Sequence, residues 1–269
     1  MDKAVILAGG LGTRMRRQDE SANLTTEQAK VAETGVKALI PIHRPFLDYV
    51  LTELAEAGYT RVCLVIGPNH QHVRDYYDRQ SPPKRMTIEY TVQPEPLGTA
   101  NAVASAEAFV GDDDFLMINS DNHYPYDALS SLRRLTGPGL AAFEREGMLA
   151  GSNIPAERLM KFAVADIGPD DYLRRVIEKP TPEQLAELGE PVYLSMNCWR
   201  FTPRIFTACR RIPRSPRGEY EVTDAAQYCI DQLGERFRVI RCQSPVLDLS
   251  SRRDVAPVAA LLADREVSY

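Results

Sequence analysis

The chain opens with the stretch AVILAGGLGTRMRR, residues 4–17, in which an apolar run meets a glycine-rich loop. The run AVILA contains two β-branched side chains and no polar residue, a composition typical of a strand that is buried on both faces. The three glycines of GGLG let backbone N–H groups approach an anion without Cβ atoms in the way. The stretch therefore predicts a buried strand whose carboxyl end carries an anion-binding loop.

This loop differs from the two best-known glycine-rich nucleotide motifs. It lacks the Gly-Lys-Ser/Thr of a P-loop, and Met15 or Arg16 stands where a dinucleotide-binding loop has its third glycine. Gly-x-Gly alone also suits a tight turn that needs glycine for its geometry. Taken by itself, the loop is therefore compatible with either an anion-binding site or a structural turn. Arg14 adds a guanidinium that can grip a phosphate with two hydrogen bonds, which favours a phosphate site of another kind.

Further along the chain, short apolar runs alternate with segments of helical period. The runs RVCLVIG (61–67), TIEYTVQ (87–93) and DFLMINSD (114–121) resemble the first in composition. Alternation of such strands with helices predicts an α/β fold with a doubly wound, mostly parallel sheet. In such sheets, ligands bind beyond the carboxyl ends of the strands.

The second half of the chain has a different pattern. MKFAVADIG (160–168), LRRVIEKP (173–180) and VYLSMNCWRFTP (192–203) follow one another as strands without an obvious helix between them. Successive strands of this kind predict an antiparallel or mixed extension of the sheet. No low-complexity linker divides the chain, so we expect one Rossmann-like domain over residues 1–269 with a mixed, mostly parallel sheet.

Composition excludes several classes of protein. The net charge is -5 and the 32 Lys and Arg residues are scattered, so we expect no nucleic acid and no membrane surface as partner. No apolar run reaches the roughly 18 residues of a membrane span and no charged leader precedes the first strand, which predicts a cytoplasmic protein. The five cysteines never form a C-x-x-C pair, and we expect buried thiols rather than disulfides or a zinc site.

Residues 16–35 form a long polar segment directly after the glycine-rich loop. Its sequence, RRQDESANLTTEQAKVAETG, has a helix-forming middle. We expect a long loop that lies over the strand ends, where such loops often act as lids.

Five stretches, taken in order along the chain, resemble the signature of the sugar-phosphate nucleotidylyltransferases. LAGGLGTR, followed by GVKALIPIHRPFLDYVLTELAEAG, resembles the family's N-terminal signature, and VQPEPLGTANAV resembles its base-recognition segment. INSDNHYP and VLDLSSRRDV are similar to the family's two metal-aspartate segments, and VIEKP is similar to its sugar-phosphate pair. The ordered set is far more specific than any one stretch.

The resemblance implies that a sugar 1-phosphate oxygen attacks the α-phosphorus of a nucleoside triphosphate in line, giving an NDP-sugar and pyrophosphate. Arg14 would then hold the leaving pyrophosphate, and Lys37 would neutralise the charge that grows around the α-phosphate. The resemblance also implies a set of nucleotide-binding residues: Leu7, Gly9, Gly10, Gly12, Thr13, Gln93 and Gly98. The base stays open among those of dTTP, UTP and GTP, with the QP of the base segment leaning toward a pyrimidine, as in glucose-1-phosphate thymidylyltransferases.

The same resemblance implies Mg²⁺ as cofactor. Asp121 ends an apolar strand, where a carboxylate can offer a hard oxygen at the carboxyl edge of the sheet, and Asp248 matches the second metal aspartate. The implied sugar-phosphate residues are Ala163, Glu178, Lys179 and Asn197. On this interpretation the nucleotide-binding half spans about residues 1–135 and the sugar-phosphate half about residues 136–269.

Several positions depart from the family pattern. Val36 replaces a proline, Ser120, Ala163 and Ser250 replace glycines, and Val246 replaces a tryptophan. The departures on the sugar side, together with the long segment 16–35, lead to the hypothesis that the acceptor is an unusual sugar phosphate or a cyclitol phosphate.

Three other functions stay open from the sequence. A nucleotidyltransferase for a non-sugar phosphate such as phosphocholine would not need Glu178, and a non-catalytic regulatory subunit would bind nucleotide without releasing pyrophosphate. A glycosyltransferase usually carries Asp-x-Asp where this chain has SDNH, residues 120–123. A homo-oligomer formed through the C-terminal helices is also open.

Overall fold

The computed structural model describes all residues, 1–269, and its centre is a nine-stranded mixed sheet with helices on both faces. The strands are β1 (Lys3–Leu7), β2 (Arg61–Ile66), β3 (Thr87–Val92), β4 (Phe115–Asn119), β5 (Asn122–His123), β6 (Gly139–Glu144), β7 (Val164–Ile167), β8 (Leu173–Ile177), β9 (Tyr193–Phe201), β10 (Arg238–Cys242) and β11 (Leu247–Asp248). The α-helices are α1 (Thr13–Arg16), α2 (Thr26–Thr34), α3 (Phe46–Glu56), α4 (Gln71–Asp75), α5 (Thr99–Ser105), α6 (Glu107–Val110), α7 (Tyr126–Arg134), α8 (Arg145–Gly151), α9 (Ala156–Leu159), α10 (Pro182–Leu188), α11 (Arg204–Cys209), α12 (Val222–Leu233) and α13 (Val255–Leu261).

The main path of the sheet has the order β10-β6-β9-β4-β1-β2-β3. Strands β4, β1, β2 and β3 are parallel, whereas β9 lies antiparallel between β4 and β6. The hairpin β7-β8 joins through β9, and β5 and β11 form a separate two-stranded sheet. The expected single α/β domain with a doubly wound, mostly parallel mixed sheet is confirmed.

The strand order reverses at β1, because β2 lies on one side of it and β4 on the other. A reversal of this kind opens a crevice at the carboxyl ends of the two diverging strands. The glycine-rich loop follows β1 at this point, so the topology alone places the loop at the expected ligand crevice.

The core lies on both faces of the sheet. Successive side chains of a strand point to opposite faces, and Ala4 and Ile6 accordingly belong to one apolar cluster while Val5 belongs to the other. Helices α3, α7 and α13 cover the first face, and α5, α6, α11 and α12 cover the second. Burial on both faces explains why β1, β2 and β4 are continuous apolar runs.

One sequence prediction about the elements, the burial of β3 on both faces, was wrong, and one strand was missed. Strand β3 is the edge strand and is half exposed along its length, because only β2 pairs with it; the polar Thr87, Glu89 and Thr91 alternate with its apolar residues. Strand β6 (GLAAFE) was not predicted, since its small residues carry little strand signal, although the strand lies fully inside the sheet.

Segment 16–35 is more ordered than a loop, because its middle forms helix α2. Thr25 caps this helix in a reciprocal capping box with Gln28, and Gly35 ends it in a left-handed conformation. None of the helices combines the length and apolarity needed to cross a lipid bilayer. All five cysteines are free and buried, as expected from their spacing.

Candidate active site

The glycine-rich loop is held in place by its contact with the end of helix α2. Gly12 has a φ of 59°, and a Cβ built on it would lie 2.1 Å from the carbonyl oxygen of Gly35. Arg16 donates hydrogen bonds from Nη2 (2.7 Å) and Nε (3.2 Å) to the carbonyl oxygen of Thr34. The loop is therefore closely packed against segment 16–35, and only glycine fits at position 12.

A first cavity of about 420 Å³ lies over the carboxyl ends of β1, β3 and β4. Every residue that the sequence assigns to the nucleotide lines it, and so do Lys37 and Asp121: Leu7, Gly9, Gly10, Gly12, Thr13, Lys37, Gln93, Gly98 and Asp121. These residues come from four separate parts of the chain. The parallel strands bring them to one edge of the sheet.

Gln93 presents an acceptor to this cavity. Its Nε2 donates to the carbonyl oxygen of Gly98 (3.1 Å) and to Oδ1 of Asn101 (2.8 Å). A backbone carbonyl can only accept, so the amide orientation is fixed, and both hydrogens of Nε2 are used. Its Oε1 lies beside Gly9 and accepts no hydrogen bond from the protein. Gln93 therefore offers the cavity a hydrogen-bond acceptor and no donor.

Gly98, the hydrogen-bond partner of Gln93, also lines the first cavity. Its φ is 119°, and a Cβ there would lie 2.4 Å from the carbonyl oxygen of Tyr220. The backbone around Tyr220 also bonds to Leu97 and Ala100. The loop that precedes α12 thus packs directly on the base-recognition segment, which the sequence does not reveal.

Lys37 and Asp121 form an ion pair at the floor of the first cavity. The Nζ of Lys37 lies 2.7 Å from Oδ2 of Asp121, and the two side chains are 17% and 24% exposed. Lys37 begins a short 3₁₀ helix (Lys37–Leu39) and Asp121 follows β4. Asp121 does not cap α7, because that position belongs to Pro125.

Asp248 lies next to Asp121 but behind the cavity wall. The pairing of β11 with β5 sets Asp248 opposite Asn122, and the backbone N–H of Leu249 donates to the carbonyl oxygen of Asp121 (2.8 Å). Burial, together with the negative charge of Asp121, raises the pKa of Asp248 to about 6, although Arg158 acts in the opposite direction. Its Oδ1 accepts hydrogen bonds from Asn122 (3.1 Å) and Ser250 (3.0 Å).

The aspartate pair could hold a divalent cation. Asp121 and Asp248 are adjacent carboxylates with the hard oxygens that Mg²⁺ prefers, and the negative charge of Asp121 acts on Asp248. No group of three or more His, Cys, Asp or Glu side chains converges as a metal site. The remaining ligands of such an ion would therefore be substrate oxygens and water, which is the usual arrangement for Mg²⁺.

A second cavity of about 570 Å³ adjoins the first and shares Thr99 and Glu219 with it. The residues that the sequence assigns to the sugar phosphate, together with Arg14, line this cavity: Arg14, Ala163, Glu178, Lys179 and Asn197. Antiparallel pairing of β7, β8 and β9 brings the last four together, and Arg14 comes from the short helix α1.

Two of these residues have left-handed backbone conformations. The φ of Lys179 is 47° and that of Asn197 is 55°. Asn197 lies where the pairing of β9 with β6 shifts register, and a strand irregularity of this kind re-aims side chains. Partial removal from water raises the pKa of Glu178; Arg217 opposes the rise, whereas Glu221 and Asp224 add to it.

The second cavity also contains cations that the sequence reasoning missed. Arg158, Lys161 and Arg217 line it, in addition to Arg14 and Lys179. Arg217 pairs with Glu221 at 2.9 Å, while Arg14, Lys161 and Lys179 have no ion-pair partner. Arg158 and Arg217 lie in polar stretches without clear periodicity, and Lys161 lies at the start of the predicted strand 160–168. Only the tertiary fold gathers the three.

Relatives with curated names share most of this chain. It is 31% identical over 233 residues to the low-salt glycan biosynthesis nucleotidyltransferase Agl11 of Haloferax volcanii, and 34% identical over 233 residues to a glucose-1-phosphate thymidylyltransferase of Streptomyces antibioticus. Each alignment covers 85% of this chain and 57% of the relative. The chain thus spans a little more than half the length of these relatives.

The fold is also similar to that of solved structures. A UDP-glucose pyrophosphorylase, solved in complex with UDP-glucose, superposes with a TM-score of 0.74 over 99% of this chain and 100% of that chain, at 19% identity. At this identity the likeness concerns the fold. The model of the nucleotidyl transferase family matches residues 3–244. This match includes every lining residue of the two cavities except Ser250, and the chain belongs to the nucleotidyl transferase family.

Proposed function

We propose that this chain transfers a nucleotidyl group from a nucleoside triphosphate to a sugar 1-phosphate, releasing pyrophosphate and forming an NDP-sugar. The observation that carries the proposal is the pair of adjoining cavities. Residues assigned to the nucleotide line the first, residues assigned to the sugar phosphate line the second, and Thr99 and Glu219 belong to both. Two substrates placed side by side in this way can react without leaving the protein.

The proposed reaction is mainly a problem of charge. In the first cavity the backbone N–H groups of the glycine-rich loop would bind the triphosphate. Arg14, which lines the adjoining second cavity, would hold the departing pyrophosphate. Lys37 would stabilise the negative charge that develops around the α-phosphate, and its contact with Asp121 already fixes its position. We assign Asp121 and Asp248 as the residues that hold Mg²⁺, which when bound would neutralise phosphate charge and orient the reacting oxygens.

On the acceptor side, Lys179 would bind the phosphate of the sugar 1-phosphate. It is free of carboxylate partners and lies in the same cavity as Arg14. Glu178 would accept hydrogen bonds from sugar hydroxyls, the amide of Asn197 could donate to them or accept from them, and Ala163 would limit the space beside the ring. The methyl group of Ala163, which lines this cavity where the family pattern has glycine, is the reason for the hypothesis of an unusual sugar or a cyclitol as acceptor.

The hydrogen bonds of Gln93 support a restriction on the base. The free acceptor of Gln93 can take a hydrogen bond from the ring N–H at the centre of the Watson–Crick edge of uracil, thymine or guanine, whereas cytosine and adenine could offer it only an exocyclic amino group. We therefore propose UTP, dTTP or GTP as the nucleotide substrate.

A pyrophosphate-release assay tests the proposed function. The assay crosses UTP, dTTP, GTP, CTP and ATP with a panel of sugar and cyclitol 1-phosphates in the presence of Mg²⁺, and Asp121→Ala is the control. Release that needs one triphosphate, one acceptor and Asp121 supports the proposal and names both substrates. Fastest turnover with glucose 1-phosphate would contradict the unusual acceptor, and triphosphate binding without any release would favour a regulatory subunit.

The same assay separates a sugar phosphate from a non-sugar phosphate such as phosphocholine. The Glu178→Ala variant removes the carboxylate that would accept hydrogen bonds from sugar hydroxyls in the second cavity. We expect a large rise in KM for the acceptor and no change in KM for the triphosphate. A neutral effect would favour the non-sugar acceptor.

A further inference from the structure

Arg158 occupies an unusual position between the second cavity and the buried Asp248. Its Nη2 lies 2.5 Å from Oδ2 of Asp248, and its Nη1 lies 2.8 Å from Oδ1 of Asp254. The two carboxylates are 7% and 5% exposed, whereas the Arg158 side chain is 24% exposed. The guanidinium therefore bridges two buried carboxylates and presents its outer side to the cavity.

This bridge closes Asp248 to other cations. Oδ1 of Asp248 already accepts from Asn122 and Ser250, and Oδ2 faces Arg158. Arg158 and Ser250 are part of the wall of the second cavity, while Asp248 is not. A divalent cation that approaches from the substrate side thus meets the guanidinium before it meets the carboxylate.

The surroundings of Arg158 also favour movement of its guanidinium from Asp248 toward the second cavity. The Nε of Arg158 is buried and has no hydrogen-bond partner, which is an unfavourable state for a charged donor. The cavity in front of it also contains Arg14, Lys161 and Lys179 without carboxylate partners. An oxyanion bound in this cavity would attract the guanidinium away from Asp248, and that movement would allow the orphaned Nε to find an acceptor.

We propose that Arg158 is a positioning residue that blocks cation binding at Asp248 until an oxyanion in the second cavity draws its guanidinium away. The inference rests on the proposed function, because it takes Asp248 as one of the two metal-binding carboxylates. It adds that the acceptor phosphate and the cation bind cooperatively through a shared arginine. By linkage, each ligand then raises the affinity of the other by the same factor.

Cation binding to the substrate-free protein tests this inference. The probe is Mn²⁺ alone, followed by calorimetry or electron paramagnetic resonance at about pH 8, so that protons do not compete for the carboxylate. We expect Arg158→Met to bind Mn²⁺ at least about tenfold more tightly than the wild type, a change of the size usual for groups that act on a metal ligand. Arg158→Lys should give an intermediate affinity, because one ammonium group cannot bridge both aspartates in the same way.

The oxyanion part of the inference has its own readout. Sulfate, added at constant ionic strength, should raise the Mn²⁺ affinity of the wild type and leave that of Arg158→Met unchanged. Arg253→Met is the matched control, since it removes an arginine from an exposed pair with Asp19 (2.6 Å) near the same carboxylates. It should behave as the wild type in both titrations.

Three outcomes would overturn the inference. The first is an Arg158→Met variant that is folded by circular dichroism and binds Mn²⁺ no more tightly than the wild type, with Arg158→Lys also unchanged. The second is a gain in affinity that survives the added Asp248→Asn substitution. The third is an equal sulfate effect with and without Arg158. Pyrophosphate release by the wild type with Mg²⁺ would leave the proposed function standing in each case.

Discussion

One ion pair fixes the position of the Lys37 ammonium group. Its Nζ lies 2.7 Å from Asp121 in a partly buried pair, where Coulomb interactions are stronger than in bulk water. The lysine cannot swing freely into solvent, because the 3₁₀ turn at Lys37–Leu39 and the carboxylate hold both of its ends. Its charge is thus aimed at the floor of the first cavity before a substrate arrives.

We expect Lys37→Met to lower kcat by roughly 10²–10³-fold, the usual effect of removing a preorganised group that stabilises transition-state charge. The KM for the acceptor should change little, because Lys37 lines the nucleotide cavity and not the second one. Steady-state pyrophosphate release measures both constants. Lys84→Met is the control, since the Lys84 side chain is exposed and forms no ion pair; equal rates for the two variants would refute the assignment.

Gln93→Ala should relax discrimination between bases. The variant loses the acceptor at Oε1, so kcat/KM for the preferred triphosphate should fall by roughly 10- to 100-fold, as expected for about 1–3 kcal/mol of hydrogen bonding. Rates with CTP and ATP should change less. Asn101→Ala is the graded control, because it leaves the bond from Gln93 to Gly98 in place. A uniform loss across all five triphosphates would contradict base reading by Gln93.

The glycine-rich loop and helix α2 are packed together as one structural unit. The loop touches the C-terminal end of α2 at Gly12 and Gly35, and Arg16 ties the two together. The exposed pair of Arg253 and Asp19 adds a further link to the segment. Motion of segment 16–35 would therefore carry the phosphate loop with it.

Gly12→Ala should show how much the close approach of residues 12 and 35 contributes to stability. A Cβ at residue 12 would lie 2.1 Å from the oxygen of Gly35 in a left-handed conformation, so we expect a loss of about 1–3 kcal/mol in the free energy of unfolding. Gly10→Ala, in the same loop, meets no atom within 4 Å and should leave stability unchanged. Urea denaturation compares the two; equal midpoints would contradict the close packing.

Some elements follow directly from the sequence and others depend on the whole fold. Strands β1, β2 and β4 are predictable because burial on both faces imposes continuous apolar runs. Helix α2 and strand β6 carry weaker signals: the first is polar, and the second contains small residues whose burial depends on neighbours far along the chain. In the site, motif residues such as Gln93 were predictable, whereas Arg158 became visible only when α9 was placed beside Asp248.

The folded interior shields all five cysteine thiols from solvent. Burial raises the pKa of Cys63 to about 11 and the pKa values of Cys209 and Cys242 to about 12. Cys198 and Cys229 are fully buried and their pKa values are raised in the same direction. The thiolate is the reactive form, so all five groups should be inert in the folded protein.

A thiol titration with Ellman's reagent checks this expectation. At about pH 8 the native protein should release almost no chromophore during the time in which the denatured protein reacts at all five cysteines. Gly12→Ala serves as a local control, because disturbance of the loop alone should not expose the thiols. Fast reaction of one native cysteine would show that part of the interior opens more easily than its packing implies.

The position of β9 in the sheet affects the order in which the strands can pair during synthesis. This strand closes the sheet between β4 and β6 but consists of residues 193–201. During synthesis, β1, β2, β3 and β4 can assemble early, yet the open edge of β4, with its sequence FLMIN, has no partner until about three quarters of the chain has emerged. An unpaired apolar edge invites pairing with other chains. We therefore expect folding of this protein to depend on a late, long-range step, and we expect the chain to be most prone to aggregate before β9 pairs with β4.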